Sequence, residues 1–257
     1  MKNNKNARKP ESGKHSSVGS YYVYGRNTTR ECLHSKTALA LYTRERMLRD
    51  PLVLEAKQLG IDVSVKEDRE LDSLSGRGNH QGFVCLAKAP ELWTLKALIQ
   101  AAKAKEKPLL VILDGIEDPA NLGAILRSCD AFGVDGVIIK NTGNVTLNAT
   151  VAKVSTGAVA YVPVASVSNL SQALSELQDA GYWIVASDGS ATQSYDEVDY
   201  NAPIGLIVGS EGFGVSKLVL QRSDFIVKIP MVGHVNSLNA SVAAGILLSQ
   251  ILINRKK

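Results

Sequence analysis

The chain lacks any apolar run approaching the roughly 18–20 residues a membrane helix needs. Its N-terminus carries charges but no following apolar core of a secretory signal, so a cytosolic protein with no membrane partner is expected. Cysteine is scarce: Cys32, Cys85 and Cys129 stand far apart, with neither CxxC nor Cys/His ligand spacing. A disulfide framework and a zinc site are both disfavoured, and buried reduced thiols are expected instead. The four histidines, His15, His34, His80 and His234, form no metal-ligand pattern and accompany no GxSxG elbow. Hydrolase chemistry therefore has little support, and no metal is expected. No repeat of fixed period is present, nor low-complexity sequence beyond the N-terminal tail.

What is present is a globular composition, 45% hydrophobic over 257 residues, enough for one large domain or two smaller ones. The net charge of +4 is unevenly distributed. Residues 1–20 hold five basic residues against Glu11 alone, residues 21–88 hold 11 basic and 9 acidic, residues 89–107 hold 4 and 2, and residues 108–257 hold 9 and 13. A polyanion would be drawn to the N-terminal part, because phosphate contacts depend on local Lys and Arg. A solvated tail that only aids solubility is an equally good reading of composition alone.

Residues 1–20 are polar and basic without apolar periodicity, which predicts a disordered tail. Residues 21–88 alternate helical patterns with short strand-like runs at Tyr21–Tyr24, Ala38–Tyr42, Ile61–Val65 and Phe83–Ala87, a small α/β unit. Leu92, Leu95, Leu98 and Ile99 predict a helix within 91–107, and segment 89–107 reads as a linker helix. From Leu109 the strand candidates become more apolar: Leu109–Leu113, Gly136–Ile139, Tyr161–Val164, Trp183–Ala186, Ile204–Val208 and Phe225–Ile229. Strands of this kind, separated by helical patterns, predict a parallel α/β sheet covered on both faces over 108–257.

Three polar loops interrupt this region. Asp118-Pro119 opens a helix with a capping acid and a proline at its first position, and Leu122, Ile125, Leu126 and Cys129 form its apolar stripe. Asn121 lies in its first turn, whereas Arg127 is about 120° round the helix, so the two cannot share one face. They are either a site amide and a reaching cation or a loop-bracing amide and a solvated arginine. Gly209-Ser210-Glu211-Gly212-Phe213-Gly214 follows a buried strand, and its glycines permit close backbone approach by a nucleotide-like ligand. Its spacing is neither GxGxxG nor a P-loop, and an ordinary turn remains open. Ile229 to Ser241 leads into a long apolar run, with Ser237 or Asn239 placed to cap the helix. Ser155-Thr156-Gly157-Ala158 is a helix-end turn or part of the same pocket. Gly76–Gly82 reads as a flexible polar loop, either an RNA contact or a surface hairpin.

Taken in order and spacing, Asn121–Arg127, Ile207–Gly212 and Ile229–Met231 with Asn236–Ser241 resemble the three motifs of the SpoU branch of the SPOUT RNA 2′-O-ribose methyltransferases. The resemblance covers residues 108–257. Val23-Tyr24-Gly25 and Gly78–Gly82 are similar to the substrate-binding domain of the 23S rRNA guanosine-2′-O-methyltransferase subgroup. It implies an L30e-like RNA-binding domain at 21–88, a methyltransferase domain with a deep trefoil knot, and a homodimer that completes the site. It also implies S-adenosylmethionine as cofactor, held by the backbone around Gly209, Ile229 and Leu238 with Thr156 nearby. Asn121, Arg127, Glu211, Ser237 and Asn239 carry over as active-site positions, with Arg127 as the family's base and 23S rRNA as the expected partner. A tRNA- or adenosine-directed enzyme, or a non-catalytic RNA-binding assembly factor, are the other readings.

Overall fold

The structure, a computed structural model, describes residues 19–256. The basic tail expected over 1–20 lies outside the described residues, except for Gly19 and Ser20. The chain then forms β1 (Ser20–Tyr24), α1 (Arg26–His34), β2 (Ala38–Thr43), α2 (Pro51–Gln58), β3 (Asp62–Val65), α3 (Asp68–Leu74) and β4 (Phe83–Lys88). These build a four-stranded sheet of order β1-β4-β2-β3, in which β4 runs antiparallel to both neighbours and β2 and β3 are parallel. Local signals set the helix starts: Asp50 accepts from the Leu52 amide at 3.0 Å ahead of Pro51, satisfying a donor the first turn leaves open.

The second part comprises α4 (Leu95–Ala102), β5 (Leu109–Asp114), α5 (Pro119–Ala131), β6 (Gly136–Lys140), α6 (Ala149–Val154), β7 (Val164–Val167), α7 (Leu170–Asp179) and β8 (Trp183–Ser187). It continues through β9 (Gln193–Ser194), β10 (Ile204–Gly209), α8 (Lys217–Leu220), β11 (Phe225–Lys228) and α9 (Ala240–Arg255). The sheet has the order β7-β6-β5-β10-β8-β11-β9, and every neighbouring pair is parallel. Alternate residues of each strand enter opposite cores. Leu110, Ile112, Ile138, Ile184 and Ile207 pack with α4 and α7. Val111, Leu113, Val137, Val185, Leu206 and Val208 face α5, α6 and α9 on the other side. The expected two-sided α/β sheet is present.

That second core does not stop at the sheet. It continues through Val151, Ala152 and Val159 into Val23, Leu33, Leu41, Phe83 and Cys85 of the first unit. Lys153 of α6 donates to the Tyr24 hydroxyl at 3.0 Å and lies 4.2 Å from its ring centroid.

Several boundaries differ from expectation. The helix sought within 91–107 is confined to Leu95–Ala102: Thr94 caps it, and Trp93 is taken up by a parallel bridge to Ala165. Its buried Leu95, Leu98 and Ile99 pack on the parallel sheet. The strand expected at Tyr161–Val164 is displaced to Val164–Val167, because Ala158–Ala160 wind into a 3-10 turn ending on a half-exposed Tyr161. β9 has no apolar pattern to announce it. Gly76–Gly82 is folded: His80 is buried, its Nδ1 accepts from the Gly82 amide at 3.0 Å, and Gly78 lies against Tyr24 so closely that a Cβ would be 2.2 Å from the ring. All three cysteines are buried and free, and burial pushes the Cys129 thiol well up.

Candidate active site

From β5 the chain moves outward to β6 and β7, then crosses to β8 on the far side of β10, so the strand order reverses between β5 and β10. Parallel α/β sheets open a crevice at the C-terminal ends of the strands at such a point. Here the ends of β5, β8, β10 and β11 all contribute: Asp114, Ser187, Gly209 and Ile229 line two adjoining clefts.

One cleft, of about 350 Å³, lies between the segments 187–189, 208–214 and 229–243. It combines apolar Ile229, Met231 and Leu238 with Asn236, Ser237 and the Asp188 carboxylate. The other, about 420 Å³, is lined by Asp114 to Asp118, Asn121 and Ser216. Ser210 to Gly214 forms the partition and lines both. This five-residue loop is closed on itself by Ser210 N–H to Gly214 O (3.1 Å) and Gly214 N–H to Ser210 O (2.9 Å). Gly209 is required by that closure: a Cβ there would lie 2.2 Å from the Gly214 carbonyl carbon. Asp114 holds the exit of the loop by accepting from the Ser216 amide at 2.8 Å.

Across the partition, three of the expected residues meet. Asn121 Nδ2 donates to Glu211 Oε1 at 2.8 Å, and Asn239 Nδ2 donates to Asn121 Oδ1 at 2.9 Å and to Glu211 Oε1. Asn239 Oδ1 in turn accepts from the Ser241 and Val242 amides at 3.0 and 3.2 Å. Of the two capping candidates, Asn239 is therefore the cap of α9. Each amide fixes the other's orientation, so loops from three strands are locked into one geometry. Glu211 Oε2 makes no hydrogen bond among the described residues.

The other expected residues are placed separately. Ser237, exposed, lines the first cleft with Gly209, Ile229 and Leu238. Arg127 is exposed on the outer side of α5, lines neither cleft and joins no ion pair among the described residues. The helical rotation from Asn121 puts it there. Thr156 lies exposed in the left-handed turn after α6 (φ 49°) and also lines neither cleft. Beside it, buried Ser155 bonds back to Ala152 O at 3.0 Å, a helix-end turn. Asp188 was not anticipated. Its Oδ1 accepts from the Ser190 amide and hydroxyl at 2.8 and 2.5 Å, which turns the carboxylate at the cleft's edge. The available signal was an acid immediately past a buried parallel strand.

Comparison with known proteins bears on both parts of the chain. Residues 108–249 match the SpoU rRNA Methylase family, and residues 22–93 match the RNA 2′-O ribose methyltransferase substrate binding family. YacO of Bacillus subtilis strain 168, named for the TrmH family of tRNA/rRNA methyltransferases, is 42% identical over 91% of this chain and 96% of its own length. The SpoU methyltransferase AviRb from Streptomyces viridochromogenes, crystallised with AdoMet, shares the fold: TM-score 0.81 at 22% identity, over 93% of this chain and 92% of that one. A crystallised RNA 2′-O ribose methyltransferase gives a TM-score of 0.76 at 28% identity, over 93% and 90%. Two matching segments in the right order, and a relative of nearly the same span, lead to one conclusion: the chain belongs to the SpoU (TrmH) family of RNA methyltransferases.

Proposed function

We propose that this protein transfers a methyl group from S-adenosylmethionine to the ribose 2′-hydroxyl of a guanosine in 23S rRNA. The observation that carries the reading is the Asn121–Glu211–Asn239 cluster on a partition between two clefts. One cleft can take a methyl donor and the other an RNA segment, with the locked polar groups between them.

The first cleft fits the cofactor by size and by chemistry. Its volume of about 350 Å³ is within the roughly 300–1,000 Å³ of small-molecule sites. Backbone at Gly209, Ile229 and Leu238 would hold an adenosine, apolar Met231 and Leu238 suit an adenine ring and a methylene chain, and Asp188 suits an ammonium or a ribose diol. Bound there, S-adenosylmethionine supplies an electrophilic methyl on a sulfonium.

The chain's own residues must present the 2′-hydroxyl in line and relieve it of a proton. Asn121 and Asn239 hold Glu211, whose unbonded Oε2 is available to orient the incoming ribose, with Ser237 lining the same cleft. A guanidinium, which keeps its proton across the whole physiological pH range, is a reluctant base. Arg127 is better suited to gripping the adjacent phosphate and stabilising the developing alkoxide, the proton passing to that phosphate or to water. Because Arg127 lines neither cleft of its own chain, the protein would act as a homodimer in which Arg127 serves the second copy's cleft. Val242 and Ile253, about half exposed on α9 beside α5, supply apolar surface for that contact. The trefoil knot, the L30e-like character of residues 21–88 and a cytosolic setting belong to the same reading.

A labelled-methyl assay on 23S rRNA and tRNA tests it. Label on a 23S guanosine ribose is expected. Label only on tRNA would move the substrate assignment, and RNA binding without transfer would make the protein a non-catalytic assembly factor.

A further inference from the structure

The chain has four phenylalanines. Phe83 is in the core, and Phe132 and Phe225 pack against it. Phe213 is 97% exposed. Disorder of the loop does not account for this, because the Ser210–Gly214 hydrogen bonds close it on both strands. The ring stands between Gly212 and Gly214, neither of which has a side chain to cover it, and a Cβ at Gly212 would meet nothing within 4 Å. A bare phenyl ring in water is unfavourable wherever it sits. Here it sits on the partition, lining both clefts, two residues from Glu211.

We infer that Phe213 is a positioning residue for RNA, its ring stacking on an unpaired base at or next to the nucleotide whose ribose is methylated. The inference rests on the enzymatic reading above and adds how the substrate is held. A phenyl ring carries no charge and no hydrogen-bonding group, so it can recognise neither phosphate nor hydroxyl. Bases are the part of RNA that offers a π-face, and only an unstacked base exposes it. The second cleft runs from the partition along Gly115 to Asp118 and is rich in acids, with Asp114, Glu117, Asp118 and Glu211 on its lining. Phosphates are poorly received there. A stacking contact that needs no positive charge is the interaction this lining itself can offer, leaving phosphate binding to Arg127 of the second copy and to the basic N-terminal part.

The test compares Phe213→Ala and Phe213→Trp with wild type for RNA KM, kcat and S-adenosylmethionine Kd. Full exposure of the ring means that neither variant should unfold. The expected result is an RNA KM raised on the order of tenfold in Phe213→Ala, as loss of one base–aromatic stack implies, with a smaller change in cofactor Kd. Phe213→Trp should restore KM, and its added fluorescence should be quenched by RNA over the background of Trp93 and Trp183. An RNA KM within twofold of wild type in Phe213→Ala overturns the inference. So does a weakened cofactor Kd with unchanged KM, which would assign the ring to the donor, or a changed oligomeric mass, which would assign it to a second copy. If wild type methylates no RNA, the enzymatic reading fails and this inference with it. An active wild type with an indifferent Phe213→Ala removes the inference alone.

Discussion

In the seven-stranded sheet every pair is parallel, so the C-terminal ends of β5, β8, β10 and β11 open on the same side. In the four-stranded sheet β4 runs against β1 and β2 and lies between them, so the sheet is mixed and its strand ends do not all open on one side. The difference decides where a site can be assembled. Parallel strands collect loops that are distant in sequence, as Asn121, Glu211 and Asn239 illustrate. The mixed sheet offers surface instead, and with 11 basic residues against 9 acidic over 21–88 it complements a catalytic part with 9 against 13. The two are nonetheless one folded body, since their core is continuous across α6 and β1. Cutting the chain after residue 88 would expose that core, so the division of labour is better tested by point substitutions.

The largest effect is expected at the mouth of the parallel sheet. Gly209→Ala forces a Cβ into backbone at 2.2 Å, so the partition loop cannot close, and calorimetry should detect no S-adenosylmethionine binding. Binding at wild-type affinity would mean that the loop's closure is irrelevant to the donor. Arg127→Ala should follow, lowering turnover by about 10²–10³-fold, the scale of a lost electrostatic stabiliser, with cofactor Kd intact. Near-normal turnover would remove Arg127 from the chemistry and with it the case for a shared site. Substituting Arg46 and Arg49, exposed and outside any ion pair among the described residues, should weaken RNA binding and reduce its salt slope by roughly 1 to 2. Filter binding at several salt concentrations checks this, and an unchanged slope would place the RNA elsewhere on the surface.

The smallest effect concerns stability in the mixed-sheet part. Hydrogen bonds from Arg26, at 2.7 and 2.9 Å, hold the Asp50 carboxyl below its usual range. A lowered folded-state pKa stabilises above the ordinary aspartate range and the contribution is lost as pH falls through the lowered value. Asp50→Asn retains a helix cap while losing the charge pair, so it should cost about 0.5 kcal/mol at neutral pH. Urea melts of the two proteins should converge as the pH falls below the ordinary aspartate range. A gap independent of pH would show that the ion pair contributes nothing.

Much of the architecture was legible because burial on both faces leaves a direct signature. Leu109 to Leu113 and Ile204 to Val208 read as buried strands and are. Asp118-Pro119 likewise marks the start of α5, and the Asp118 carboxyl accepts from the Ala120 amide at 3.0 Å. Legibility failed where a contact with a distant strand overrode local pattern. Trp93 was read into a helix, but its backbone pairs with Ala165. The polar pair Gln193–Ser194 becomes a strand only because β11 supplies a partner.

The site divides in the same way. Three glycines after a buried strand, and an amide at each of two helix starts, were visible as residues with an unusual local environment. Helical geometry alone separated Arg127 from Asn121 by about 120°, and the structure puts one in the second cleft against the partition and the other on an exposed face. What the sequence determined, then, was local: which segments are buried, which helices are capped, and which loops carry polar groups, since these depend on neighbours a few residues apart. Only the tertiary structure decided that the amide of residue 121 meets that of residue 239 on the carboxylate of residue 211. That meeting depends on the reversal of strand order between β5 and β10, a long-range choice no local spacing encodes.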